Sequence, residues 1–220
     1  MRLIKYVCVL TLSALGLCIS AQGGVVFTED FEGFSLLDGE FQGGWDGPGV
    51  WSGVNPFGAA AVLNPADAGS PWLSPVPAEL GEAFGTMGAN SDYSTDLTAI
   101  YWPDAIFTLS FTQFRRNDIA ADVDGITAQL MTTSGALVSS GVFAPVTTTG
   151  TFEDRTLVFD TAIDDSFNGE NIRIRFVDPT GTFDQTGIDN IQLDVVPEPA
   201  TMGLLGVGAL FALAVRRLKA

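Results

Sequence analysis

No histidine occurs anywhere in the 220 residues. That absence removes Ser-His-Asp and Cys-His nucleophile systems and every His-ligated zinc site. The only two cysteines, Cys8 and Cys18, fall close to the N-terminus, so the body of the chain cannot be disulfide-stapled. Lysine is confined to Lys5 and Lys219. Between Glu29 and Glu198 five arginines (115, 116, 155, 173 and 175) stand against all 26 carboxylates, a net charge of −21. A surface of that sign repels nucleic-acid phosphate and anionic lipid, and nucleic acid is excluded as a partner. The same balance favours divalent cations held by oxygen ligands, with Ca²⁺ the natural candidate. Also missing are a long amphipathic helix, an internal repeat and a glycine-rich phosphate loop that opens a helix. Runs such as Gly43 to Gly49 read as turns.

What is present begins with the two ends. Arg2 and Lys5 precede an apolar stretch from Tyr6 to Ile19 and small residues at Ser20, Ala21 and Gly23, the pattern of a secretory signal peptide. Leu17 before Cys18 is not the small residue that a lipoprotein signal needs. At the other end Pro197 and Pro199 keep the chain extended. The sixteen residues from Ala200 to Val215 carry no charge, and Arg216, Arg217 and Lys219 follow. As a helix that stretch would be about 24 Å long, and the basic residues can snorkel to complete a membrane span with the cations on the cytoplasmic side.

The combination of Pro197, Glu198 and Pro199, the apolar run, and Arg216-Arg217 resembles the PEP-CTERM sorting signal of Gram-negative bacteria. The resemblance covers about 25 residues. It implies passage through the inner membrane, recognition by an exosortase that removes the helix, and delivery to the cell surface or extracellular matrix. The expected organisation is a signal peptide over 1–21, a β-sandwich domain over 22–196 and a sorting signal over 197–220.

Within the middle, the alternation of Phe107, Leu109 and Phe111 with Thr108, Ser110 and Thr112 marks a half-buried strand. The same period recurs over 126–130, 155–159, 172–176 and 191–195, and a turn at Ser134-Gly135 leads into a further strand candidate from Ala136 to Phe143. Residues 33–103 are irregular, with strand-like pieces only at Ala59 to Leu63 and Ala83 to Met87. Strands with one apolar face and no long helix predict an all-β fold, an antiparallel β-sandwich. The strand spacing and the closing Gly187-Ile188-Asp189-Asn190-Ile191-Gln192-Leu193 look like the jelly rolls of galactose-binding-like domains and carbohydrate-binding modules. That resemblance implies a jelly-roll-like sandwich, a polysaccharide ligand, and a structural Ca²⁺ tying Glu29 or Glu32 near the first strand to Asp189 on the last.

Asp189 is in phase with Ile191 and Leu193, which turns it toward the core. A carboxylate there costs several kcal/mol unless it is paired or metal-bound. A strand-start aspartate accepting backbone N–H groups is the other reading. Asn117, Asp118, Asp122 and Asp124 share one loop with Gly125, and supply either a second Ca²⁺ site, contacts to a ligand, or a solvated turn. Trp45-Asp46 and Trp102-Pro103-Asp104 pair a flat ring with a carboxylate, as sugar recognition needs, although tryptophans also lock down loops by burial. Arg115 and Arg116 suit an acidic sugar or internal ion pairs. Carboxylate pairs at glycosidase spacing arise by chance among 26 acids. The expectation is therefore a non-catalytic glycan-binding or structural sandwich, with a carboxylate-dependent hydrolase or lyase, or an adhesion protein, as alternatives.

Overall fold

The computed structural model describes residues 23–37, 40–43, 51–54, 61–64, 83–88, 90–102, 104–115, 125–148, 151–161, 166–178 and 185–197. Twelve strands run through them: β1 (Gly24–Glu29), β2 (Phe41–Gly43), β3 (Trp51–Val54), β4 (Ala61–Leu63), β5 (Phe84–Gly88), β6 (Asp92–Ile100), β7 (Ala105–Arg115), β8 (Ile126–Thr132), β9 (Leu137–Phe143), β10 (Phe152–Asp160), β11 (Asn171–Val177) and β12 (Gln185–Pro197). They form two sheets, neither closed on itself. One has the order β10-β7-β12-β5-β4-β2, with β1 also pairing β12; the other has the order β3-β6-β11-β8-β9. The strand pairs are antiparallel, so adjacent strands can each send one face inward and one to water.

The period-two signal has a direct physical counterpart in β7 and β11. Phe107, Leu109, Phe111, Ile172, Ile174 and Phe176 are buried, while the residues between them are the less covered ones. The core between the sheets is built on aromatics. Phe111 meets Phe143 and Phe176 edge-on, each at 5.1 Å between ring centroids, and Trp51 adds a tilted contact to Phe176 at 6.0 Å. Burial of each such ring stabilises the fold by about 1.5–3 kcal/mol.

Two features differ from the sequence expectation. β6 is a nine-residue strand between β3 and β11, inside a region read as short strands joined by long loops. Its inward face includes a buried threonine, Thr95, between Tyr93 and Leu97, which weakens the apolar alternation. The second feature lies at the far end of β7, where Thr112, Gln113 and Phe114 are all buried. Phe84 and Phe114 pack edge-to-face at 4.6 Å, apart from the main core cluster. Gly187 sits opposite Phe114, where a Cβ would come within 2.1 Å of the ring. Among the described residues no helix is long and apolar enough to cross a membrane; the C-terminal stretch from residue 198 lies outside them.

Candidate functional site

β12 changes neighbour midway. Gln185 to Ile188 pair with β5, and from Ile191 onward the same strand pairs with β1. Asp189 stands at that junction. A bulge between Asp189 and Gln192 interrupts the ladder with β7, and Asn190 takes φ 49° within it. The bulge also resets the alternation. Asp189 lies opposite Thr112, whereas Ile191 lies in the bulge. The carboxylate is therefore not simply in phase with the core-facing isoleucine; the acidic chain leaving β1 acts on it electrostatically.

That chain is Glu29-Asp30-Phe31-Glu32, and its backbone is tightly fixed. Phe31 is fully buried with φ 58°, a conformation that is a genuine outlier for a bulky residue. Glu29 holds the turn: Oε1 accepts the Phe31 N–H at 2.9 Å and Oε2 accepts the indole N–H of buried Trp51 at 3.2 Å. Glu32 Oε1 accepts the Ala83 N–H at 2.9 Å, joining the loop to the start of β5. Such strained positions persist where surrounding contacts over-determine them, and they gather at ligand clamps.

Asp189 itself is completely buried. Its Oδ1 accepts the Asn190 N–H at 2.8 Å, while Oδ2 is buried with no hydrogen-bond partner. Burial pushes its pKa up to about 8; the Asn190 N–H opposes this, and the negative charges of Glu32, Asp30 and Glu29 add to it. The structure thus brings Glu29, Glu32 and Asp189 into electrostatic contact. Among the described residues no group of three or more acidic, cysteine or histidine side chains stands preassembled around a metal position.

A second arrangement covers the outer face of the five-stranded sheet. Arg175 grips Asp92 through Nε (2.8 Å) and Nη2, and its Nη1 donates to Gln129 Oε1 at 2.9 Å. One step along, Arg173 grips Asp96 through Nε and Nη2 (2.9 Å to Oδ2). The Arg173 hydrogen bond holds the Asp96 carboxyl below the usual range, and both guanidinium groups are held fully charged by their partners. Beside these pairs lies an open depression of about 420 Å³, lined by Ser52, Gly53, Asp92, Ser94, Met131 and the two arginines. The visible signal in the sequence was Arg173 and Arg175 alternating with apolar residues on β11. Nothing in it disclosed the partners, which lie 77 and 83 residues away.

The remaining candidates disperse. Trp102 is 47 % exposed and Asp104 is exposed with φ 54°, both in the β6–β7 connection and neither lining the depression. Trp51, Tyr93 and Tyr101 are buried. Arg115 donates through Nη1 to the Thr147 carbonyl at 2.9 Å. Pro197 ends β12. Trp45, Asp46, Trp72, Arg116, Asn117, Asp118, Asp122, Asp124, Glu198, Pro199, Arg216 and Arg217 lie outside the described residues.

Comparison with known proteins bears on both the tail and the fold. Residues 195–218 match the PEP-CTERM protein-sorting motif, so the chain carries the mark of export, transient membrane anchoring and processing by exosortase machinery, with the surface or matrix as its destination. No curated protein matches the chain. Among solved structures it is similar to a Stig cyclase, Fisc, from Fischerella sp. TAU in complex with an indole ligand. The TM-score is 0.66 at 14% identity, over 80% of this chain and all of that one. It is also similar to part of an arabinose-bound MgGH51 α-L-arabinofuranosidase, with TM-score 0.50 and 12% identity, over 81% of this chain and 28% of that one. A xylan-binding CBM22-1 domain of Xyn10C from Paenibacillus barcinonensis gives TM-score 0.47 and 11% identity, over 80% and 97%. At these identities the first two likenesses establish a shared β-sandwich fold and nothing about activity.

Proposed function

We propose that this exported, sorted protein is a non-catalytic, jelly-roll-like sandwich that binds extracellular polysaccharide through the outer face of its five-stranded sheet and is stabilised by Ca²⁺ at Asp189. The observation that carries the glycan reading is the depression beside two arginine–carboxylate pairs. Planar groups held flat by their partners present fixed donors and acceptors without further ordering cost, which is what recognition of sugar hydroxyls requires. Ser52, Ser94 and Gln129 add neutral polar groups on the same face. The described lining is mostly polar, which suits a hydrated, hydroxyl-rich chain.

The calcium reading rests on the orphaned Oδ2 of Asp189. A buried carboxylate with an unused oxygen, facing further carboxylates, is either kept protonated or neutralised by a cation. The Asp189 carboxylate and that of Glu32 would supply charged oxygens to the ion. Glu29, whose two oxygens already hold Phe31 and Trp51, would position the loop. The ion would supply charge neutralisation and lock β1 to β12.

Retention of the exported domain on immobilised bacterial exopolysaccharides, with and without millimolar Ca²⁺, tests the reading. Binding that weakens about tenfold in Arg175→Ala supports it. Absence of retention on every polysaccharide leaves a structural role, and release of reducing ends would replace it with an enzyme.

A further inference from the structure

The sorting motif is continuous with the fold. Its matched residues begin at Val195, and Val195, Val196 and Pro197 are still ladder positions of β12, paired with Gly24 of β1 and with Ile106 and Ala105 of β7. Only Glu198 and Pro199 separate Pro197 from the uncharged stretch that begins at Ala200. Even fully extended, that interval spans roughly 10 Å. While the tail is held in a bilayer, the end of the sandwich where β12 exits cannot stand further than this from the headgroups.

The residues at that end are unusual for this chain. β6 finishes there at Ile100 and crosses through Tyr101 and Trp102 to Ala105, so both sheets contribute to it. Ile100 and Trp102 are about half exposed, and Val25, Val26 and Val196, at the start of β1 and the end of β12, are exposed as well. These five are half of the ten exposed large hydrophobics among the described residues. The backbone at Trp102 is held in place. The Thr161 hydroxyl donates to the Trp102 carbonyl at 2.7 Å and accepts the Ala105 N–H at 2.7 Å, while the adjoining Tyr101 is buried and stacked on Phe107. The N-terminal flank is packed in as well, since a Cβ on Gly23 would lie 2.6 Å from the Val196 side chain. Asp104, Asp160 and Glu170 belong to the same end. They disfavour anionic lipid and leave zwitterionic headgroups as the compatible surface.

We propose that this end of the sandwich is a membrane-resting face. Until the tail is removed, the domain does not swing on a flexible stalk but sits with Trp102, Ile100 and Val196 at the level of zwitterionic headgroups. Tryptophan there occupies the interfacial region it prefers, and the valines and isoleucine add apolar contact. Sorting then frees a face as well as a tail. The inference is independent of the ligand and calcium readings above.

The chain from residue 22 onward, which holds neither Cys8 nor Cys18 and retains the tail, tests this in phosphatidylcholine nanodiscs. A single cysteine is introduced either by Ile100→Cys or by Thr148→Cys and labelled with a fluorophore. Thr148 is exposed at the opposite end, next to the Thr147 carbonyl that Arg115 holds. Lipids spin-labelled at the headgroup should quench the label at 100 several-fold more than the label at 148. Adding Trp102→Ala should lower the quenching at 100. Equal quenching at the two positions, or stronger quenching at 148, overturns the proposal. Quenching at 100 that is indifferent to Trp102→Ala removes the tryptophan from it.

Discussion

Asp189→Asn turns the strangest side chain of the fold into a measurement. With its pKa pushed from 3.8 to about 8, Asp189 keeps its proton in the folded protein over a range where the unfolded chain has lost it. The folded state then binds more protons than the unfolded state, so stability is highest below pH 4, falls as pH rises from there, and levels off above pH 8. At 1.36 kcal/mol per pH unit the loss from this one group reaches about 2 kcal/mol at pH 5 and about 4 kcal/mol at pH 7. For a domain of this size the difference between those two pH values, near 3 kcal/mol, corresponds to roughly 6–12 °C in melting temperature. In Asp189→Asn the amide oxygen can still accept the Asn190 N–H, and no titration remains. Its amide N–H₂ is left in the buried place of Oδ2 at a cost of about 1–3 kcal/mol that does not vary with pH. The assay is urea unfolding in EDTA at pH 5, 6 and 7 for both proteins; the other carboxylates contribute alike and cancel in the difference. Wild type should lose about 3 kcal/mol more than the variant across that window. Parallel curves would refute the premise that Asp189 is buried and protonated. If Ca²⁺ displaces the proton, saturating Ca²⁺ should abolish the extra loss in wild type, and near one proton per ion should be released at pH 7.

Calcium at 100 times its Kd should raise unfolding stability by about 2.7 kcal/mol in wild type and far less in Asp189→Asn, read from melting curves in Ca²⁺ and in EDTA. Arg175→Ala breaks an ion pair whose partners are about one-third exposed, so its effect on stability should stay below about 1 kcal/mol. Its effect on polysaccharide affinity should be about tenfold, the loss expected for one hydrogen bond to a charged donor. Gly187→Ala drives a methyl into the buried Phe114 ring and should destabilise by about 3 kcal/mol, seen as a lower urea midpoint with unchanged slope. Trp51→Phe keeps most of the core packing but removes the indole N–H from Glu29, and should cost about 2 kcal/mol.

The strands that could be read in advance are those whose outer face meets water. The first half of β7, β8, β11 and the second half of β12 alternate cleanly because one side packs on the core and the other does not. Where a strand is covered on both sides, as β5 is throughout, there is no alternation, and Ala83 to Met87 stands out in the sequence only as a strand-like piece. β2 is three residues long, shorter than the window in which a period of two can be recognised, while β4, equally short, falls within the strand-like piece Ala59 to Leu63. β6 was hidden for a third reason: its outer residues Asp92 and Asp96 belong to ion pairs with β11, so what looks like a polar loop in sequence is one half of a charged cross-strand ladder.

The same distinction governs the candidate site. The association of Glu29 or Glu32 with Asp189 is what the resemblance to galactose-binding-like jelly rolls implies, and β1 and β12 are neighbours in the sheet. The reason for Asp189's burial is not legible in the sequence, since it depends on a bulge and on β12 exchanging β5 for β1. Two different strands meet one side of β12 at a single point, and the chain leaving β1 crosses there under strain at Phe31. A cation bound to Asp189 and Glu32 would act across that seam, tying the N-terminal strand to the strand that carries the sorting motif. Loss of the ion should therefore loosen β1 before it loosens the β7–β12 ladder. Hydrogen exchange in EDTA should then show protection lost along the β1–β12 ladder while the β7–β10 ladder keeps it. Simultaneous loss in both ladders would mean that the ion serves the whole sandwich and not the seam.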